Sequence, residues 1–160
     1  MPANKRPRKK YRPKARLVDP VSWFVEGVSS LVGNKPSEWL TVRIKVHDAL
    51  LRLMRGESTR DSLDILVSAA NLSRAMQDVC QIGAEHASDT DAAHLALLAV
   101  CRRPGHVGAS AELNAIRAMV ELHDAQLDAC TVRQFERAIE HVQRELRHGR
   151  AIRIMDGSGA

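Results

Sequence analysis

The chain has 160 residues, 44 % of them hydrophobic and only 3 % aromatic, with 24 Lys or Arg, 19 Asp or Glu and a net charge of +5. That length suits one domain with a core of its own, and the longest apolar run, Leu95 to Cys101, falls far short of the ~18 residues of a membrane span. No secretory leader pattern opens the chain, and Cys80, Cys101 and Cys130 are odd in number and widely spaced, which argues against a disulfide framework or a CxxC zinc module and for a cytoplasmic protein.

Eight of the first sixteen residues are cationic and none is acidic: Lys5, Arg6, Arg8, Lys9, Lys10, Arg12, Lys14 and Arg16. Of the 24 basic residues this leaves 16 against 19 acidic ones from Leu17 onward, so the body is mildly acidic. Pro2, Pro7 and Pro13 interrupt the basic run and disfavour helix, so residues 1–16 are expected to form a disordered arm. A dense cationic arm on an acidic body points to a polyanionic partner. The arm is expected to neutralise phosphates, with Tyr11 available to stack on an unpaired base. One aromatic among eight cations supplies no sequence code, so binding to DNA or RNA is expected to be nonspecific.

With so few aromatics, the core must be built from Ala, Leu, Val, Ile and Met, a mixture that favours helices over strands. A first helix is expected from Asp19, capping a start at Pro20, through Trp23, Phe24 and Val28 to a stop at Gly33 and Pro36. A second fits Ser37 to Arg55, with Leu40, Ile44, Leu50, Leu51 and Met54 near one face; within it, Thr41 to Val46 alternates and is compatible with a short strand. Gly56 ends it. Ser58 followed by Asp61 resembles a capping arrangement for a third helix running to about Ile82. Ser88, Asp89 and Asp91 place acids at the start of a fourth, with Leu95, Leu98 and Val100 on its apolar side. Pro104 and Gly105 break the chain. A fifth helix is expected from about Ser110 to Ala129 through Leu113, Ile116, Val120 and Leu127. Thr131 with Gln134 opens a sixth as a capping box, with a stripe of Val132, Phe135, Ile139, Val142 and Leu146 and a stop at Gly149.

The expected fold is therefore all-α: a compact bundle of about five or six helices over 17–149, preceded by the basic arm and followed by a frayed tail at 150–160. His47-Asp48-Ala49-x-Leu51 echoes His123-Asp124-Ala125-x-Leu127, too short a match to establish a duplicated hairpin.

Several residue patterns invite a chemical reading and find a plainer one. His47, His123, Asp124 and Asp128 are the ligand types of His-Asp metal-dependent phosphohydrolases, but neighbours on a helix point about 100° apart and no second signature completes the set. Asp91-x-x-His94 and Glu145-x-x-His148 have the spacing of carboxylate-bridged metals without the further Glu residues such sites use. Cys130 lies seven residues from His123, which does not by itself make an activated nucleophile. Ala118 to Arg147 can be read as helix-turn-helix presenting Arg133, Gln134 and Arg137, against which Glu136, Glu140 and Glu145 repel phosphate. No Walker loop, GxGxxG or GxSxG occurs. No cofactor, metal or enzymatic activity is expected.

The segments Lys9-Lys10-Tyr11-Arg12-Pro13-Lys14, Arg43-Ile44-Lys45-Val46-His47-Asp48-Ala49 and Glu121 to Cys130 resemble small, uncharacterised helical proteins encoded by prophages of Gram-negative bacteria. The resemblance implies a setting, the cytoplasm of an infected or lysogenic bacterium, and carries no catalytic residue. Two functions follow as expectations: a non-enzymatic accessory protein that holds nucleic acid through its arm, or an adaptor or inhibitor that engages a host or phage protein through a helix face. Neither requires a membrane, and the apolar stripes are compatible with either a monomer or an oligomer.

Overall fold

The computed structural model describes residues 36–152, with side chains from Leu40 onward. The basic arm, the helix expected from Asp19 to Gly33 and the last eight residues lie outside the described residues. Five α-helices make up the body: α1 (Pro36–Arg55), α2 (Arg60–Cys80), α3 (Ala87–Arg102), α4 (Ser110–Ala129) and α5 (Val132–Arg147). Short 3-10 turns at Ala84–His86 and Pro104–His106 precede α3 and α4. The described residues contain no strand, and Thr41 to Val46 is helical. The body is all-α.

α2 is the hub, packing against all four other helices. Its entry is set by Thr59, whose side chain accepts from the Ser62 amide while the Ser62 hydroxyl accepts from the Thr59 amide at 2.9 Å. This reciprocal pair satisfies two of the amides a helix start leaves orphaned. It lies one residue beyond the expected Ser58–Asp61 cap. Ser62 takes the role at the third helical position that the sequence pattern assigned to an acid.

The larger core joins α1, α2, α3 and α4 around Leu53, Leu63, Leu66, Leu97, Ile116 and Met119. A smaller one joins α2, α4 and α5 around Met76, Leu127, Cys130 and Phe135. α4 begins and ends at the expected residues, and the Thr131–Gln134 capping box forms at α5.

Three apolar faces differ from expectation. On α3 the buried side chains are Thr90, Ala93, Ala96, Leu97 and Val100, whereas Leu95 is 69 % exposed. Val100 of the expected side is buried and Leu98 partly so, and the inward face is completed by Ala93, Ala96 and Leu97 in place of Leu95. On α1 the core takes Val46, Ala49, Leu50 and Leu53, and leaves Leu40, Ile44, Leu51 and Met54 exposed. On α5 only Phe135 and Ala138 are buried, and Ile139 of the expected stripe is exposed.

The connection from α2 to α3 requires glycine. Gly83 has φ +69°, and a Cβ there would meet the Leu122 side chain at 3.1 Å and the Gln126 amide at 3.3 Å. At the other end of the body, Gly149 (φ +70°) stops α5, and residues 150–152 turn back on the body. Arg150 pairs with Glu145, and Asn71 exchanges hydrogen bonds with the Ile152 backbone, its amide donating at 2.9 Å.

Candidate functional site

All nine residues expected to contact nucleic acid, Lys5, Arg6, Arg8, Lys9, Lys10, Tyr11, Arg12, Lys14 and Arg16, lie outside the described residues. Within the body, chemistry-bearing side chains collect in two places.

The first is a polar cleft of about 310 Å³ between α2, α3, α5 and the segment after α5. Arg74 binds Asp78 one turn on and reaches across to Asp91 on α3. Arg150 forms a two-point pair with Glu145 at 2.7 and 2.8 Å, which holds the Glu145 carboxyl down at about 2. His94, half-buried beside Asp91, has its pKa lowered chiefly by burial, and its Nε2 has no partner. His141 completes the lining. The structure thus gathers Asp91, His94 and Glu145 from the two i, i+3 patterns into one cleft, while His148 stands outside its lining. Among the described residues, however, no group of three or more His, Cys, Asp and Glu side chains is arranged to hold a metal ion. The carboxylates are instead committed to guanidinium partners.

The second place is the seam between α1 and α4. Arg43 pairs with Asp128 and also donates to the Asp124 backbone carbonyl, and His47 Nε2 lies 2.6 Å from Asp124 Oδ2. Three of the four His-Asp ligand types therefore lie along this seam, with Asp128 joined to the others through Arg43. They clamp two helices together. The fourth, His123, is fully buried: burial drives its pKa down to about 4, so the ring is neutral at physiological pH. Its Nδ1 lies 3.4 Å from the Ser73 hydroxyl. The two His-Asp echoes occupy opposite environments, with His47 and Leu51 exposed and His123 and Leu127 in the core. They are not equivalent positions of a repeat.

A polar spine runs beneath this seam. Gln126 donates to the Ser73 and Ile82 carbonyls, and Gln77 donates to the Gly83 carbonyl and the Thr90 hydroxyl. Two of these bonds satisfy the Ile82 and Gly83 carbonyls, in the connection that follows α2. Cys130 is buried among apolar neighbours, which pushes its thiol up to about 11 and away from the thiolate a nucleophile needs. In the expected helix-turn-helix, Gln134 is occupied by its capping box and Arg137 donates to the Val79 carbonyl. The cleft residues Arg74, Asn71 and His141 carry no local signature. Only the Arg74–Asp78 spacing is visible in the sequence, because the rest of the cleft is assembled from distant segments.

These features define an α-helical body in which several arginines are paired with carboxylates of neighbouring turns and helices, and in which no described helix is long and apolar enough to cross a membrane. No protein-family model, curated protein or solved structure matches the chain.

Proposed function

We propose that this chain is a non-enzymatic, phage-type accessory protein that binds DNA or RNA without sequence preference, through the phosphates, using Lys5, Arg6, Arg8, Lys9, Lys10, Arg12, Lys14 and Arg16, with Tyr11 stacking on exposed bases. The observation that carries this reading is the segregation of charge, eight cations in the arm on a body with an excess of acids. The internal pairing of the body supports it. Arg43, Arg52, Arg74, Arg103, Arg117 and Arg150 each bind a carboxylate, which takes part of the body's positive charge into internal pairs. Each phosphate neutralised releases condensed counterions, so affinity falls steeply with salt.

Removing residues 1–16 tests the reading. Binding to duplex and single-stranded probes at low salt should be lost while the helical circular dichroism is kept. Retained affinity with an unchanged salt dependence would refute it.

The adaptor reading is favoured by one specific observation, the exposed apolar residues of α1. It requires that face to be open to a foreign helix, and its fate depends on what covers that face.

A further inference from the structure

The groove between α1 and α2 is unlike the polar cleft. It encloses about 280 Å³, near the lower end of the range for small-molecule pockets. Val42 and Val46 of α1 and Ile65, Ala69 and Leu72 of α2 form its walls. Lys45, Asp64 and Ser68 complete the share of these two helices and are exposed, which gives the groove a polar mouth and an apolar interior. α4 contributes His123, a fully buried ring. Its Nδ1 is turned to the hydroxyl of Ser73, a residue outside the lining, at 3.4 Å. Its Nε2, on the diverging edge of the ring, has no partner.

We infer that this groove is a binding site for a small, uncharged and largely apolar molecule carrying one hydroxyl, such as a simple phenol. Its hydroxyl bonds to His123 Nε2 and its apolar body lies between Val42 and Val46 on one side and Ile65, Ala69 and Leu72 on the other. Burying that body removes apolar surface of both ligand and groove from water, and the hydrogen bond supplies the partner that the ring nitrogen lacks.

The chemistry of the ligand follows from the groove. Buried polar side-chain atoms nearly always find a partner, so an orphaned nitrogen beside a groove marks a place for one. Water is poorly suited to it, because a buried water needs two to four polar contacts and the walls are apolar. A carboxylate or ammonium would shed its hydration against those walls and a neutral ring, at a large cost. A hydroxyl both donates and accepts, so it satisfies Nε2 in either tautomer of the imidazole. A purely apolar ligand would fill the space and leave the nitrogen unpaired. The site draws nothing from the basic arm and does not depend on nucleic-acid binding.

Titration of the full-length protein with p-cresol and p-xylene, which differ by a hydroxyl in place of a methyl, tests the site by NMR. p-Cresol should bind at millimolar concentration or below, shifting amide signals around Val46 and Ala69 and the Nε2 resonance of His123 in protein carrying isotope-labelled histidine. It should bind about fivefold or more tightly than p-xylene, the worth of one net hydrogen bond, against the order that apolar burial alone would set. His123→Leu removes the nitrogen and should reverse that preference. Ser68→Trp, at an exposed position where a large side chain is tolerated and fills the mouth, should abolish binding of both compounds with the helical circular dichroism unchanged. The inference is overturned if millimolar p-cresol leaves these signals unmoved, if p-xylene binds the parent as tightly, or if Ser68→Trp leaves p-cresol binding intact.

Discussion

α2 and α1 lie side by side and are built from similar proportions of apolar residues, yet they stand in the fold differently. α2 is packed on most sides, burying eleven residues, among them the polar Asn71, Ser73 and Gln77 with partners waiting for each. α1 is committed on one side only. Its clamp to α4 consists of the Arg43–Asp128 ion pair and the His47–Asp124 hydrogen bond, while half of its large apolar side chains look outward. Apolar content alone therefore does not rank helices by their importance to the fold. What ranks them is how many faces find a partner within the body.

The sharpest probe of this contrast is to remove side chains from each environment. Leu66→Ala at the centre of α2, where the side chain is fully buried, should cost about 2–5 kcal/mol in urea or thermal unfolding, from lost burial plus the cavity left behind. Leu95→Ala, an equal truncation on the outer side of α3, should change stability by less than about 0.5 kcal/mol. Comparable losses at the two sites would erase the distinction between packed and unpartnered faces.

A second probe uses acid. His123 lines the groove between α1 and α2, and burial holds its pKa at about 4 against an ordinary 6.5. The folded state thus binds fewer protons than the unfolded chain between those values, and its stability must fall as pH falls. The contribution is fully present above pH 6.5 and is lost progressively down to about 4, on the order of 3 kcal/mol in all. His94, lowered by burial as well, acts with the same sign. Denaturant midpoints measured from pH 7 to pH 5 should decline in the parent and decline less in His123→Gln; identical slopes would show that the ring is not held neutral.

Smaller effects should follow at the connection and the clamp. Gly83→Ala forces a Cβ into the left-handed region and against Leu122, and should cost about 1–3 kcal/mol, measured by thermal unfolding. Arg43→Gln removes the exposed Asp128 pair and should cost less than about 1 kcal/mol, an effect weakened further by salt. A larger loss there would mean that α1 depends on the clamp more than on Val46, Ala49, Leu50 and Leu53.

Much of the fold was legible in the sequence because its signals are local. Gly56, Gly83, Pro104-Gly105 and the Thr131–Gln134 box punctuate the helices where the structure does, since turns and caps depend on a few neighbouring residues. Facing was less legible. On α3 the expected side held at Val100 and failed at Leu95, where leucine carries more weight in the pattern than the buried Ala93 and Ala96. On α1 two apolar faces overlapped in one pattern, and only tertiary contacts separate them. The candidate sites were legible only in part. Asp91, His94 and Glu145 were notable for spacing, but their gathering with Arg74 and Arg150 depends on three helices and the chain after α5, and the meeting of His47 with Asp124 spans 77 residues. The charge asymmetry needed no folding to be read, because it is a property of composition along the chain.

That asymmetry is the centre of the functional account, and the dependence of nucleic-acid affinity on salt is its plainest gauge. For the full-length protein on a duplex probe, the logarithm of the binding constant should fall against the logarithm of salt concentration with a slope between about −4 and −7, as expected for several of the eight arm cations each neutralising a phosphate. The same chain with those eight residues changed to Gln should show a slope no steeper than about −1 and little binding. Equal slopes for the two proteins, or no binding by the parent even at low salt, would be incompatible with an arm that works by neutralising phosphates.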